Sequence, residues 1–389
     1  MNIQSGNFTI NARLKDTGTS IFSVMSAKAA EHQAINLSQG FPDFDGPAAL
    51  IENVYRHMKS GKNQYAPMPG VPELRNEIAK KYNTQYQSDF NPESEITVTA
   101  GATQAIFTFI MSVVGKGDEV ILFSPAYDCY APAIRLAGGI PVFINLSEPD
   151  FSIDKEKLEK AFNSQTKLIV INNPHNPCGS VLPESDIHFI AELTKNTNCL
   201  ILSDEVYEHI VFDENRFKPM NLYDGLQDRT LSVYSFGKSL HFTGWKIGYA
   251  IGSPQLTKIF RSVHQYNVFS VNTPMQYALA DFLKDNETHL DISDFYQKKR
   301  DFFYNGLLKS RLKPLKSSGT YFLLADYSEI SDMADTEFAI HLTQKFGVAS
   351  IPLSPFYPTD DKPKGKYLRF CFAKQESTLK QALENLWKI

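Results

Sequence analysis

Leu200-Ile201-Leu202-Ser203-Asp204-Glu205-Val206-Tyr207 reads as a short strand that leads into a carboxylate and a phenol. A run of apolar residues without alternation suits a strand buried on both faces of a sheet. The same texture recurs on either side. Glu119-Val120-Ile121-Leu122-Phe123 and Leu168-Ile169-Val170-Ile171 precede it; Leu231-Ser232-Val233-Tyr234 and Ile247-Gly248-Tyr249-Ala250-Ile251 follow. Stretches with helical spacing, such as residues 184–196, separate the runs, so βαβ units are expected between residues 95 and 255. The fold class predicted is α/β, a three-layer αβα domain around a mostly parallel sheet.

From residue 285 onward the pattern changes. A charged helix through Tyr296-Gln297-Lys298-Lys299-Arg300 leads to a strand at residues 320–325, a helix at 336–346, a strand at 366–372 and a last helix. This reads as a smaller α+β domain. The expected division is a large domain over residues 46–284, with 1–45 and 285–389 as an N-terminal segment and small domain.

Open α/β sheets bind ligands at the carboxyl ends of their strands. There the sequence sets Asn176 after the 168–171 run, Asp204 and Tyr207 after the 200–203 run, and Ser235 and Lys238 after the 231–234 run. An amide, a carboxylate, a phenol, a hydroxyl and an amine on one edge match the needs of a phosphorylated pyridine aldehyde. Lysine condenses with an aldehyde and, once freed, moves protons. A carboxylate facing the pyridine nitrogen favours its protonated form. Ile96-Thr97-Val98-Thr99 followed by Ala100-Gly101-Ala102-Thr103-Gln104-Ala105 reads as a strand opening into a helix, whose first N–H groups suit a phosphate. Ser235 and Lys246 are candidates to complete that cradle, and Tyr127, after Ser124-Pro125, to stack on the ring. Arg369 offers a planar fork for a substrate carboxylate.

Composition narrows the classes further. A formal net charge of −4 over 389 residues gives no general attraction to nucleic acid or to an anionic membrane. No apolar run reaches the roughly 20 residues of a bilayer span, and the first residues do not resemble a signal peptide. The protein is therefore expected in the cytoplasm. The four cysteines, Cys129, Cys178, Cys199 and Cys371, form no CxxC pair, and the nine histidines show no HExxH spacing, so no metal is expected. Gly237-Lys238-Ser239 imitates the end of a nucleotide-binding P-loop, but Ser232 stands where that motif requires its first glycine.

Taken together, Asn173-Pro174-His175-Asn176-Pro177-Cys178-Gly179, Ser203-Asp204-Glu205-Val206-Tyr207, Ser235-Phe236-Gly237-Lys238 and Thr243-Gly244-Trp245-Lys246-Ile247-Gly248-Tyr249 resemble the class I/II aminotransferases of fold type I, which use pyridoxal 5′-phosphate (PLP). Gln39-Gly40-Phe41-Pro42 near the start and Tyr367-Leu368-Arg369-Phe370 near the end extend the resemblance over nearly the whole chain. Within the family, Phe41-Pro42-Asp43-Phe44, Val263-His264-Gln265-Tyr266 and Asn63-Gln64-Tyr65-Ala66-Pro67-Met68 are most similar to the methionine and kynurenine aminotransferase branch, the bacterial methionine enzymes above all.

The resemblance implies Lys238 as the Schiff-base lysine, Asp204 as the pyridine partner, and Asn176 and Tyr207 as partners of the 3-oxygen. It implies that Ala102, Thr103, Ser235 and Lys246 hold the phosphate together with Tyr65 of a second subunit. Tyr127 would stack on the ring, and Gly40, Asn176 and Arg369 would hold the substrate carboxylate. Phe22, Tyr321 and Phe356, with Phe269 from the second subunit, are the expected wall of an apolar substrate pocket. The partners implied are an amino acid, a 2-oxo acid and a second copy of the chain. Cys178 and Lys246 depart from the family's usual Thr and Arg. The rival readings are a cysteine-conjugate β-lyase or other PLP enzyme on the same fold, and a PLP-binding regulator. The last is disfavoured because Gln39-Gly40-Phe41-Pro42 comes too early for a preceding DNA-binding domain.

Overall fold

The computed structural model describes residues 11–14, 18–285, 292–358 and 361–389. Its strands, in chain order, begin with β1 (Ile35–Asn36), β2 (Ile96–Thr99), β3 (Glu119–Ser124), β4 (Ile140–Asn145), β5 (Thr166–Asn172) and β6 (Leu200–Asp204). They continue with β7 (Thr230–Ser235), β8 (Gly248–Gly252), β9 (Lys313–Leu315), β10 (Phe322–Asp326), β11 (Val348–Ala349), β12 (Ile351–Pro352) and β13 (Tyr367–Cys371). Seven of them form one sheet in the order β2-β8-β7-β6-β5-β3-β4. All its parallel neighbours lie between β7 and β4; β8 runs antiparallel to both β7 and β2. The mostly parallel α/β sheet expected from the apolar runs is thus present, with β8 as the reversed strand.

Continuous apolarity has the cause anticipated for it, because successive residues of one strand enter different cores. Val120 and Leu122 of β3 pack with Leu168, Leu202, Leu231 and the helix residues Ile106, Phe109 and Phe260. Their neighbours Ile121 and Phe123 pack with Ile169, Ile201 and the helix residues Leu158, Ile187 and Ile190. Helices therefore cover both faces, and each strand side chain is removed from water whichever way it points.

A second, antiparallel sheet has the order β12-β13-β10-β9, and β1 pairs in parallel with β11. Through β1 the segment before residue 46 is tied to the C-terminal part of the chain. Leu324 and Phe370 of this second sheet share a core with Phe303 of helix Ile292–Leu307, the charged helix expected there. The strand anticipated at 320–325 is shifted to Phe322–Asp326, and the helix at 184–196 stops at Thr194.

Candidate active site

Parallel registration aligns the carboxyl ends of the central strands. Asn172, which ends β5, lies opposite Asp204, which ends β6, and Ser235 at the end of β7 lies opposite Gly248 of β8. Chain reversal into the next helix then presents each following residue over the same edge. The result is a cavity of about 160 Å³ lined by Ala102, Thr103, Tyr127, Asn176, Asp204, Tyr207, Ser235, Lys238 and Lys246. All nine were selected from the sequence as cofactor-binding residues. Gly101, Ile106, Asn172, Val206 and Thr243 complete the lining and were not.

One wall is the start of helix Ala102–Val113. Its N-cap is Gly101 at φ +80°, a left-handed conformation that favours glycine, and no side chain caps that end. A Cβ on Gly101 would meet Lys246 Cε at 3.4 Å, so the lysine lies directly against the helix start. Gly248 is held closer still: a Cβ there would come within 2.4 Å of the Tyr234 carbonyl and 3.2 Å of the Ala102 nitrogen. An uncapped helix N-terminus against Lys246, in a cavity that Ser235 also lines, is suited to an anion.

Deeper in the site, Asp204 is buried and accepts a 2.6 Å hydrogen bond from the Tyr130 hydroxyl. Burial pushes its carboxyl up to about 6, against the pull of Tyr130, the Val206 N–H and Lys238. Asn172 donates to the Asp204 carbonyl at 2.9 Å and accepts from the Asn176 N–H at 2.8 Å, which fixes β6 and the 173–179 loop together. Sequence reading missed Tyr130 and Asn172. Tyr130 lies three residues after Tyr127 in the same turn, and its 5.7 Å edge contact with that ring is a signal the spacing alone carried weakly.

Lys238 Nζ donates to the Tyr321 hydroxyl at 2.8 Å and to the Gly40 carbonyl at 3.3 Å. Burial above all, with Lys246 and Arg369 adding positive charge, brings this amine down to about 8; Cys371 and Asp204 act in the opposite direction. Tyr321, expected only as a pocket wall, thus reaches the lysine nitrogen itself. Gly40 stands at the same point, holding both the lysine and the phenol through its carbonyl.

Arg369 is fully buried on β13. Nη1 donates to Asn176 Oδ1 at 2.8 Å and Nη2 to the Ser38 carbonyl at 2.7 Å. Its Nε has no partner among the described residues. A buried cationic donor left open in this way asks for an acceptor, and a carboxylate supplies one. The guanidinium carbon lies 3.8 Å from the Phe322 ring centre, 5.2 Å from Phe22 and 5.8 Å from Phe356. Phe22 and Phe356 contact each other edge-on at 5.7 Å. These two expected wall residues therefore surround Arg369 rather than line the deeper cavity, and Phe322 joins them.

Tyr65 and Phe269 are placed apart from this set. They touch each other at 5.4 Å and are 84% and 51% exposed. Neither lines the cavity within its own chain.

The donor set fits PLP: an amine of lowered basicity, a buried carboxylate and an uncapped helix start with an adjacent cation converge on one cavity. Comparison with known proteins agrees. The family model "Aminotransferase class I and II" matches residues 32–386. Methionine aminotransferase of Escherichia coli is 48% identical over 376 residues, spanning 96% of this chain and 97% of the relative. A probable N-succinyldiaminopimelate aminotransferase of Mycobacterium tuberculosis is 37% identical, spanning 96% and 97%. The solved structure of an Escherichia coli protein with a methionine aminotransferase function superposes with a TM-score of 0.95 at 46% identity, covering 98% of this chain and all of that one. The chain belongs to the class I and II aminotransferases and is a PLP-dependent enzyme that moves amino groups.

Proposed function

We propose that the enzyme transfers the amino group of an apolar or aromatic L-amino acid, methionine foremost and phenylalanine, tyrosine or kynurenine-like donors beside it, to a 2-oxo acid. The observation that carries this reading is the setting of Arg369. The guanidinium suited to the α-carboxylate is surrounded by Phe22, Phe322 and Phe356. A donor held there meets aromatic surface with its side chain, and a second carboxylate would be desolvated without a partner.

PLP, when bound, supplies an aldehyde that condenses with amines and a ring that withdraws electrons from the substrate's α-carbon. Lys238 would hold it covalently through Nζ and, when free, serve as the base for the substrate's α-proton. Asp204 would pair with the ring nitrogen, and Asn176 and Tyr207 would be partners of the 3-oxygen. The Ala102 and Thr103 N–H groups would hold the phosphate with Ser235, Lys246 and Tyr65 from a second copy. Tyr127 would pack against the ring; Gly40, Asn176 and Arg369 would hold the substrate carboxylate. In this reading residues 46–284 form the large PLP-binding domain, with 1–45 and 285–389 as the N-terminal segment and small C-terminal domain. The working unit is a cytoplasmic homodimer. The described helices include none long and apolar enough to cross a membrane.

The test is a donor screen by half-reaction. Holoenzyme is mixed with single amino acids, including aspartate and N-succinyldiaminopimelate, and the loss of cofactor absorbance is timed. Methionine and the aromatic donors should react fastest. Faster reaction of aspartate than of methionine would overturn the assignment. Borohydride reduction of the holoenzyme, followed by peptide mapping, should place the label on Lys238.

A further inference from the structure

The contact between Tyr321 and Lys238 has a role in the exchange of amines. We propose that the Tyr321 hydroxyl, with the Gly40 carbonyl, is the resting site of the Lys238 amine whenever it is not bonded to the cofactor, and so favours displacement of the lysine by substrate. The proposal deepens the assignment of Lys238 given above and rests on it.

The contacts around the Tyr321 hydroxyl suit the two hydrogens of a freed amine. Tyr321 Oη donates to the Gly40 carbonyl at 2.6 Å, which leaves its oxygen free to accept. Lys238 Nζ then donates to Tyr321 Oη at 2.8 Å and to Gly40 O at 3.3 Å. A neutral amine has two N–H bonds, and both are used, so its lone pair is left for other work. The ring is held in place, and its hydroxyl also engages Tyr207. Tyr321 is fully buried, in edge contact with Tyr207 at 5.2 Å and Phe322 at 4.9 Å, and tilted against Tyr296 at 5.6 Å. Burial also raises its pKa well above the ordinary phenol value, so it remains a hydroxyl at working pH.

When a substrate amine displaces the lysine, one nitrogen replaces another on the same cofactor carbon. The two hydrogens that the incoming amine gives up end on Lys238, and no electrons are gained or lost overall. Those two hydrogens are the ones that Tyr321 and Gly40 accept. The pair therefore stabilises the freed lysine and not the bonded one, and an interaction made in only one of two states shifts the balance toward it.

The experiment compares two probes on wild-type and Tyr321→Phe holoenzyme. α-Methylmethionine displaces the lysine but has no α-proton to lose; the same acid lacking its amino group binds without displacing anything. Phenylalanine preserves the ring contacts and removes only the hydroxyl. The apparent Kd of α-methylmethionine should rise about fivefold to tenfold, the value of one hydrogen bond, with the desamino acid unchanged. Unchanged affinity for both probes, or an equal loss for both, overturns the proposal and leaves Tyr321 as a wall. A wild-type crystal structure with α-methylmethionine gives an independent reading. Lys238 Nζ within hydrogen-bonding distance of Tyr321 Oη and Gly40 O is expected; Nζ turned elsewhere overturns it. Failure of the Lys238 assignment itself looks different, since borohydride would then leave no label on Lys238 in the wild type.

Discussion

Asp204 sits where burial works against its charge. Its carboxyl is raised to about 6 from an ordinary 3.8, chiefly by desolvation, although Tyr130 donates to it. In protein stripped of cofactor, the stability this group contributes is fully present below its unfolded pKa and is lost as pH rises through about 6. Asn carries no such penalty. Asp204→Asn apoprotein should match wild type near pH 4 and be more stable at pH 8 by about 3 kcal/mol, the equivalent of two pKa units. Urea unfolding at the two pH values measures this; a variant destabilised equally at both would show that the carboxylate is not strained. Turnover should move the other way and fall by orders of magnitude, because in the proposed site this is the charge that would pair with the pyridine nitrogen. Residues of this kind were legible in the sequence because a strand end announces itself: an apolar run stops and a polar side chain follows. Tyr130 and the hydroxyl of Tyr321 were not, because each reaches its partner from a different part of the chain and nothing in local spacing records the meeting.

At the scale of elements, β6 continues into Glu205, Val206, Tyr207 and Glu208, and the two glutamates serve a different purpose from Asp204. Glu205 accepts from Ser203, Ser232, Tyr234 and the Met220 N–H, and burial pushes it up to about 7. Glu208 accepts from Lys81 at 2.7 Å, from Tyr249 at 3.0 Å and from Tyr82 at 3.2 Å. Helix Pro72–Tyr86 is thereby fastened to the strand end that carries the candidate site. The Lys81 side chain is only 7% exposed, and desolvation lowers its pKa even beside Glu208. Removing one partner of a buried pair strands the other charge. Lys81→Met should thus destabilise the protein by about 3 kcal/mol or more, while the double variant Lys81→Met with Glu208→Leu should recover much of that loss. Additive losses in the double-mutant cycle would mean that the two residues are not coupled. The strand–helix alternation and the strands β10 and β13 were readable in the sequence, whereas the two- and three-residue strands β1, β9, β11 and β12 were too short to show. This network was not, for Lys81 and Glu208 are 127 positions apart and each alone has the appearance of an ordinary surface charge.

At the scale of the whole molecule, the chain exposes apolar surface that a solitary enzyme would not need. Ile51, Tyr55 and Met58 are exposed at i, i+4 and i+7 on helix Ala48–Lys59, one face of it, and Tyr65 and Phe269 project together from neighbouring loops. Tyr65 follows Asn63-Gln64 and precedes Pro67, Pro69 and Gly70, a stretch whose prolines restrict the backbone. Its ring is 84% exposed, yet family resemblance gives it the cofactor phosphate as a partner. Both statements hold if two chains pair about a two-fold axis and each completes the other's site. The prediction is complementation in trans. Tyr65→Phe and Lys238→Ala chains, each impaired alone, are mixed and allowed to exchange. If Tyr65 acts across the interface, a mixed dimer has one site missing both groups and one site with both intact. Activity should then rise above that of either parent and track the fraction of mixed dimer. If Tyr65 serves its own chain, each site of the mixed dimer lacks one group and no recovery appears, even after labelled subunits prove that exchange took place. Sedimentation at assay concentration closes the argument: a chain active as a monomer cannot be sharing its sites, whatever the mixture does.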